Sequence, residues 1–140
     1  MLIGEYNYAL DAKGRLNFPA KLREDLGDHF FIAKGLGEHC LYVYSLAEWQ
    51  KFIDKIDALP FSKARKLQRE LFASACEVEP DKQGRIVVPA NLREHGELEK
   101  DVVIIGTSNR CEIWSKANWD AYLAESTPEA IEEAMDELGF

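Results

Sequence analysis

The chain contains two copies of one sequence pattern, and this duplication restricts the possible folds more than any other feature. Residues 11–24 read DAKGRLNFPAKLRE and residues 81–94 read DKQGRIVVPANLRE, so eight of the fourteen positions are identical at a spacing of 70 residues. At the same spacing, YSLAEW at 44–49 corresponds to WSKANW at 114–119. Two matches in one order indicate a tandem duplication. A copy of about 45 residues is too small to bury a sufficient core alone, so we expect both copies to share one core around a pseudo-two-fold axis.

The two copies are predicted to contain the same order of strands and helices. Alternating and short apolar runs, bounded by glycine, proline and aspartate, are typical of strands joined by turns. The first copy is predicted to have strands at 5–10, 15–18, 30–33 and 41–44, with a helix at 19–26. The second copy is predicted to have strands at 76–79, 85–88, 102–105 and 112–114, with a helix at 89–95. The last two strands of each copy are expected to lie together, and the whole chain is predicted to have an α+β fold.

Further helices are predicted between and after the copies. A capping box of Ser45 and Glu48 begins one helix, and Ser115 begins its counterpart. Residues 62–74 have apolar side chains at helical spacing, and a short amphipathic helix is predicted from Thr127. We therefore divide the chain into a first unit at 5–47, linking helices at 48–75, a second unit at 76–119 and an acidic C-terminal helix or tail at 120–140.

The first two strands of each copy are separated by an Asp-x-x-Gly turn. Asp11 and Asp81 are expected to accept hydrogen bonds from the backbone of the turn or from the neighbouring arginine. Gly14 and Gly84 are expected to adopt a positive φ and so to close a hairpin between those strands. These four residues are predicted to support the turn rather than to bind a ligand.

Basic residues follow each turn and make it a candidate DNA-binding element. Arginine can form a bidentate contact with a phosphate or with guanine O6 and N7, and lysine adds attraction to phosphate without sequence information. Hairpin tips can approach DNA without movement of the core. A salt bridge from each arginine to the turn aspartate is the structural alternative. The candidate DNA-binding residues are Lys13, Arg15, Lys82 and Arg85 in the turns, with Lys21, Arg23 and Arg93 in the helices that follow.

The overall charge neither supports nor excludes a nucleic-acid partner. The formal net charge of −8 is unfavourable for DNA binding. However, residues 125–140 contain six acidic residues and no basic ones, and removing these six leaves a charge of −2. Local clusters of charge therefore matter more than the total.

Other classes of protein find little support. Cys40, Cys76 and Cys111 are odd in number and widely spaced, which predicts core thiols rather than disulfides or a metal site. His29, His39 and His95 have no metal-ligand spacing, and no catalytic motif is present, so we expect neither an enzyme, nor a cofactor, nor a small-molecule substrate. The chain lacks a secretory signal pattern and a long apolar run, so no membrane association and a cytoplasmic location are expected.

The duplicated motif resembles the SpoVT-AbrB type of DNA-binding unit. The resemblance lies in an Asp-x-x-x-Arg turn, an apolar strand and Pro-Ala-x-Leu-Arg-Glu, and it extends through LYVYSLAEW and EIWS to about residue 123. It implies a swapped-hairpin β-barrel in which two copies in one chain replace the two chains of a dimer. For duplicated proteins of this type it further implies a bacterial, nucleoid-associated regulator that assembles into ring-shaped homo-oligomers. Such a regulator is expected to bind short direct repeats in double-stranded promoter DNA and to repress its own division and cell-wall operon.

Two alternatives remain open besides an enzyme. The same type of unit occurs in antitoxins, which bind DNA and also mask a toxin, although these usually carry one copy and a disordered tail. A ring without DNA binding is the other alternative, and the acidic isoelectric point is its only support. An adjacent toxin gene would favour the antitoxin, whereas a neighbouring methyltransferase or division gene would not.

Overall fold

A computed structural model describes residues 1–139 of the chain; Phe140, the last residue of the predicted C-terminal helix or tail, lies outside them. The predicted α+β class is confirmed. The strands are β1 (Leu2–Ala9), β2 (Arg15–Asn17), β3 (Phe30–Lys34), β4 (Leu41–Tyr44), β5 (Cys76–Val78), β6 (Arg85–Val87), β7 (Asp101–Ser108) and β8 (Cys111–Ser115). The helices are α1 (Ala20–Leu26), α2 (Leu46–Asp57), α3 (Phe61–Leu67), α4 (Ala90–His95), α5 (Lys116–Glu125) and α6 (Pro128–Asp136). A π-helical turn, Gln68–Phe72, continues α3. Within residues 1–139, no helix combines the length and the apolar character needed to cross a membrane.

The strands form one large antiparallel sheet and one short ribbon. The sheet has six strands in the order β1-β7-β8-β4-β3-β5, and the ribbon consists of β2 and β6. The predicted pairings of β3 with β4 and of β7 with β8 are confirmed. Strands of the first and second copies are neighbours three times in the sheet and once in the ribbon. The two copies therefore form one structure rather than two separate domains.

The prediction of a local hairpin at each Asp-x-x-Gly turn is wrong. The turns form, but β1 pairs with β7 of the second copy and β2 pairs with β6. In the same way, β5 pairs with β3 of the first copy. A hairpin of β1 and β2 would have to match an eight-residue strand with a three-residue strand. Pairing β1 with the eight-residue β7 instead satisfies the backbone groups of both strands along their full length.

The strand register is symmetric under exchange of the two copies. Leu16 lies opposite Ile86 in the ribbon, and Tyr42 lies opposite Glu112 in the sheet; the members of each pair are 70 residues apart in the sequence. The pairing of Tyr8 with Val102 on β1 and β7 corresponds to that of Val78 with Phe30 on β5 and β3. The register thus has approximate two-fold symmetry.

The main core lies between the sheet and the ribbon. Because side chains alternate along a strand, Leu41 and Val43 enter this core whereas Tyr42 and Tyr44 point to the other face of the sheet. The ribbon contributes side chains that are fully buried, and burial of each such side chain stabilises the fold by about 1.5–3 kcal/mol. The largest fully buried residues of this core are Leu16, Leu22, Phe30, Ile32, Leu41, Ile86, Leu92, Ile104 and Ile113.

The opposite face of the sheet is covered differently in the two copies. Ser45 and Ser115 cap α2 and α5, as predicted, by accepting hydrogen bonds from Glu48 N and Asn118 N. On the first copy, α2 is itself covered by α3 and the π-helical turn, which bury Ile56. On the second copy, neither α5 nor α6 has a buried residue. The second copy therefore leaves apolar helix surface exposed.

The three cysteines are free thiols. Cys40 and Cys111 are buried and Cys76 is half-buried, which confirms their prediction as core residues. Burial raises the pKa of Cys111 to about 12, so this thiol stays protonated at neutral pH.

Candidate nucleic-acid interface

The ribbon has one buried and one exposed face. Leu16 and Ile86, the central residues of β2 and β6, point into the core. Their neighbours on each strand therefore point outward. These outward residues are Arg15 and Asn17 on β2 and Arg85 and Val87 on β6. Two of the sequence-predicted arginines are thus brought onto one surface, although they are 70 residues apart in the sequence.

The carboxylate of Asp11 orders both the first turn and Arg15. Its Oδ1 accepts hydrogen bonds from Lys13 N at 2.9 Å and from Arg15 N at 2.8 Å. Its Oδ2 accepts a hydrogen bond from Arg15 Nε. Gly14, with a φ of 79°, donates its N–H to the backbone oxygen of Asp11. The turn and the arginine that follows it are therefore held by one carboxylate.

The second turn repeats this arrangement. Asp81 Oδ1 accepts from Gln83 N and from Arg85 N, both at 2.9 Å, and Asp81 Oδ2 accepts from Arg85 Nε at 2.9 Å. Gly84 has a φ of 77°. In each arginine the bond to aspartate uses Nε, and within residues 1–139 neither Nη atom of Arg15 or Arg85 donates a hydrogen bond. The Nη groups, which match the paired acceptors of guanine, are not used in the hydrogen bonds of the turn.

The hydrogen bonds of the turns also lower the pKa of the two aspartates. The pKa of Asp11 lies below its usual value, first because Arg15 N donates to the carboxylate, with further contributions from the Arg15 side chain and Lys13 N. The pKa of Asp81 is lowered for the same reasons, through Arg85 and Gln83. Both carboxylates are therefore ionised at neutral pH and hold their arginines as ion pairs.

The two turns lie at opposite ends of the ribbon. Phe18, just after β2, donates its N–H to Gly84 O at 2.9 Å, and Val88 donates to Gly14 O at 2.8 Å. Gly14 and Gly84 are therefore separated by four residues along the ribbon, or roughly 13 Å. Lys13 and Lys82 are exposed at these two tips. The cations of the turns thus lie at the two ends and on the outward face of the ribbon.

Arg23 on α1 and Arg93 on α4 each lie next to a turn. Arg23 is half-buried and donates its Nε–H to Phe18 O at 3.0 Å. It also lies close to the second turn, because a β-carbon at Gly84 would stand 2.8 Å from Arg23 Nη2. Arg93 is likewise half-buried, and a β-carbon at Gly14 would stand 3.1 Å from Arg93 Cζ. Each helix arginine thus packs against the turn of the other copy.

Lys21 differs from the other predicted residues because only one copy carries it. It is exposed on α1. The corresponding residue of α4 is Asn91, whose Nδ2 donates to Ser74 O at 3.4 Å. Any contribution of Lys21 to binding therefore comes from the first copy alone.

Acidic side chains line the groove beside each turn. These carboxylates repel phosphate, so a polyanion that contacts this part of the molecule is favoured at the tips and the outward face of the ribbon over the grooves. The acidic residues are Glu24, Asp28 and Glu79 beside the second turn and Glu94, Glu97 and Glu99 beside the first. Among the residues described, no group of His, Cys, Asp or Glu side chains is arranged to hold a metal ion.

Asn17 and Val87 belong to this surface but were not among the residues predicted from the sequence. They are exposed and lie opposite Arg85 and Arg15 in the ribbon. Alternation along each short strand would have placed them on the arginine side. Their importance depends on the pairing of β2 with β6, which the sequence did not reveal.

Comparisons with known proteins agree with the duplication and with the type of protein. A profile of the MraZ family, described as MraZ protein and antitoxin-like, matches residues 1–69 and again residues 71–138. The transcriptional regulator MraZ of Heliobacterium modesticaldum is 52% identical over 140 residues, which cover 99% of this chain and 96% of the relative. The proteins of the same name from Thermoanaerobacter sp. strain X514 (51%; 99% of this chain, 96% of the relative) and Halothermothrix orenii (50%; 99% of both) are similar over their whole length. These relatives are named as regulators and not as enzymes. The chain belongs to the MraZ family.

Proposed function

We propose that the chain is a sequence-specific DNA-binding transcriptional regulator that reads double-stranded promoter DNA with the outward face of the β2–β6 ribbon. The observation that carries the proposal is the presence of Arg15 and Arg85 on one exposed face, each oriented by its own aspartate. A two-stranded ribbon fits the major groove, where arginine recognises guanine. The names of the relatives support the regulatory role.

The remaining basic residues take two different roles. Lys13 and Lys82 at the turn tips, with Lys21 on α1, attract phosphate. Arg23 and Arg93 were candidate DNA-binding residues in the sequence. In this proposal they instead hold the turns in place, together with Asp11, Gly14, Asp81 and Gly84. Their half-buried position and their contacts with the turn of the other copy favour this role.

The arrangement of strands supports a swapped-hairpin β-barrel built from the two copies of this chain. In this proposal the units at 5–47 and 76–119 exchange their first strands, and the helices at 48–75 link them. The symmetric register and the pairing of β1 with β7 and of β5 with β3 support the exchange. The segment at 120–140 lies outside the two units.

The exposed helices support assembly into a ring. On the second copy, α6 exposes Ile131 and Met135 among acidic residues, and the turn after α6 exposes Leu138. On the first copy, α3 and the π-helical turn carry basic residues around Phe61, which is 77% exposed; these are Lys63, Arg65, Lys66 and Arg69. Opposite charges and apolar side chains on two different surfaces of one chain suit a head-to-tail contact, which closes into a ring when the rotation allows.

The resemblance and the regulatory name also support a cellular role. The protein acts in the cytoplasm at the nucleoid, binds short direct repeats in a promoter, and represses its own division and cell-wall operon. Successive subunits of a ring engage successive repeats, because the first contact raises the effective concentration of the next. Two turns with two cations each neutralise roughly four phosphates, which gives a salt slope near −3.6 for one chain.

Fluorescence-anisotropy titration tests the DNA-binding function. Duplex DNA from upstream of the gene is compared with a scrambled duplex at two salt concentrations, using wild type, Arg15→Ala and Arg85→Ala. Wild type is expected to prefer the upstream duplex, and loss of either arginine is expected to weaken binding. Lys51→Ala, on the exposed side of α2, provides a matched loss of charge away from the ribbon and should bind normally.

Two results would contradict the proposal. Wild type without salt-dependent binding would leave the turns as structural elements and favour an antitoxin-like interaction module. Folded Arg15→Ala and Arg85→Ala variants that bind as tightly as wild type would place DNA recognition elsewhere on the molecule. Thermal unfolding of each variant shows whether it is folded.

A further inference from the structure

We propose that the outward face of the ribbon has two chemically different ends, so that each chain recognises an asymmetric DNA site, and that Asn17 and Val87 determine this asymmetry. The inference rests on the proposed DNA-binding function. It concerns which bases the surface distinguishes, beyond the guanines that the arginines recognise.

The ribbon register places one different residue beside each arginine. Arg15 lies directly opposite Val87, and Asn17 lies directly opposite Arg85. Side chains directly opposite each other in an antiparallel pair have Cβ atoms about 4.5–5.5 Å apart. Each arginine therefore acts with one cross-strand neighbour, asparagine at one end of the ribbon and valine at the other.

Both neighbours are available to a ligand. Val87 is 57% exposed although the residues before and after it in the chain, Ile86 and Val88, are buried. Asn17 is exposed, and among residues 1–139 its side chain makes no hydrogen bond, so its amide donor and acceptor are free. The two positions are counterparts in the duplicated sequence, because residue 17 corresponds to residue 87 at the spacing of 70. The copies thus differ at the one outward position that accompanies the shared arginine.

The two neighbours recognise different bases. Asparagine can form a bidentate hydrogen-bonded pair with adenine N6 and N7. Valine offers no hydrogen bond but can contact the C5-methyl group of thymine. The end formed by Arg85 and Asn17 therefore prefers guanine with a neighbouring adenine, and the end formed by Arg15 and Val87 prefers guanine with a neighbouring thymine.

This difference gives the binding site a direction. A surface with two identical ends would prefer a self-complementary sequence, as two-fold symmetric dimers do. A surface with different ends prefers a sequence that is not self-complementary and binds it in one orientation. The turn tips also differ, since Lys13 corresponds to Gln83, but contacts to phosphate carry no sequence information.

The experiment selects preferred sites from a duplex library with randomised central positions. The full-length proteins compared are wild type, Asn17→Val, Val87→Asn and the exchanged variant Asn17→Val/Val87→Asn. Asn17→Val makes both ends arginine with valine, and Val87→Asn makes both ends arginine with asparagine. Each single variant is therefore expected to select a self-complementary consensus, and the exchanged variant is expected to restore the asymmetric consensus of wild type.

Competition titrations with the selected wild-type duplex give the size of the effect. Replacement of the recognised adenine–thymine pair should weaken binding of wild type by about 5- to 100-fold, the discrimination expected from one bidentate contact, and should have little effect on Asn17→Val. Asn7→Val serves as the matched control, because Asn7 is exposed on β1 and points away from the ribbon side of the sheet, unlike Tyr6 and Tyr8. It should select the wild-type consensus.

The outcomes separate this inference from the proposed function. The inference would be overturned if wild type selected a self-complementary consensus, or if the single variants kept an asymmetric consensus. The proposed function would still stand in either case, provided that Arg15→Ala loses binding. A library that yields no enriched sequence with wild type would overturn both. Circular dichroism of each variant shows whether it is folded, so that unfolding is excluded as the cause of a changed consensus. If a single variant is misfolded, the exchanged variant and the competition titration with wild type test the inference.

Discussion

Arg23 and Gly84 belong to different copies of the duplicated motif, yet the guanidinium of Arg23 fills the space that a β-carbon at Gly84 would need. A β-carbon there would stand 2.8 Å from Nη2 and 3.1 Å from Cζ. Arg93 and Gly14 show the same relationship, with the backbone oxygen of Val88 also 3.0 Å from a β-carbon at Gly14. Each turn is therefore shaped by the helix of the other copy, and the two turns depend on correct pairing of the copies.

Replacement of Gly84 by alanine is expected to destabilise the protein more than the same change at Gly37. Both glycines have a similar positive φ, 77° and 72°, which costs an alanine about 1–2 kcal/mol. Nothing lies within 4 Å of a β-carbon at Gly37, whereas Gly84→Ala must also displace Arg23. Urea denaturation should therefore show a further loss of about 1–3 kcal/mol in Gly84→Ala. Equal losses in the two variants would mean that Arg23 moves aside freely.

Arg23→Ala and Lys21→Ala are expected to affect different properties. Arg23→Ala removes a hydrogen bond to Phe18 O and the support of the second turn, so its free energy of unfolding should fall by about 1–2 kcal/mol. Lys21 is exposed, so Lys21→Ala should change stability by less than about 0.5 kcal/mol. If Lys21 contacts a phosphate, the salt slope of binding falls by about 0.9 in magnitude. An Arg23→Ala variant with normal stability and a reduced salt slope would show that Arg23 contacts DNA directly.

The turns are expected to lose their order in acid. The folded-state pKa of Asp11 and of Asp81 is lowered, so their contribution to stability is present above the unfolded value of about 3.9 and is lost as the pH falls through the lower folded value. NMR titration of the carboxyl carbons should give midpoints below 3.9 for both residues. Asp11→Asn keeps a side-chain oxygen that can accept from the turn and removes the titration at the first turn. A midpoint at or above 3.9 in wild type would show that Arg15 does not hold the carboxylate in solution.

The local elements follow from the sequence, but their partners do not. The pairs β3–β4 and β7–β8, the helix caps at Ser45 and Ser115, and the turns at Asp11 and Asp81 depend on residues close together in the chain. The pairing of β1 with β7, of β5 with β3 and of β2 with β6 joins strands far apart in the sequence, and alternation of side chains along a strand does not encode the choice of a distant partner. Arg23 shows the consequence. Its position on α1 is predictable, whereas its contact with Gly84 arises only from the pairing of β2 with β6.

Glu112 is a residue whose role the similarity of the two copies does not reveal. It is a buried carboxylate on β8, opposite Tyr42. Its Oε1 accepts from Trp114 Nε1 at 3.0 Å and its Oε2 pairs with Arg110 Nη2 at 2.9 Å. The Arg110 guanidinium in turn lies 3.7 Å from the centre of the Tyr42 ring. Tyrosine and glutamate are counterparts in the duplication, so the similarity of the copies gave no indication of this ion pair.

Loss of the Glu112 carboxylate is expected to destabilise the protein. Glu112→Ala leaves the Trp114 indole N–H and the Arg110 guanidinium without this acceptor, which should lower the free energy of unfolding by about 1–3 kcal/mol. Glu112→Gln keeps an oxygen for Trp114 and should lose less. Denaturant titration followed by tryptophan fluorescence measures both. A Glu112→Ala variant as stable as wild type would show that Arg110 and Trp114 find replacement partners in water.

The apolar side of α6 is expected to mediate contact with a second chain. Ile131 is 56% exposed and Met135 is 42% exposed, and α6 has no buried residue that would anchor the helix within its own chain. Ile131→Asp places a charge on this apolar side, so the assembled fraction should decrease by roughly tenfold or more if the contact contributes about 1.4 kcal/mol or more. Leu46→Asp introduces the same charge at an apolar residue that is 55% exposed at the start of α2, outside both proposed contact surfaces; it is the matched control and should assemble normally. Sedimentation velocity at several concentrations measures the distribution of masses. Identical mass distributions for wild type and Ile131→Asp would exclude α6 from the assembly contact. A thermal unfolding curve like that of wild type shows that the variant chain is folded.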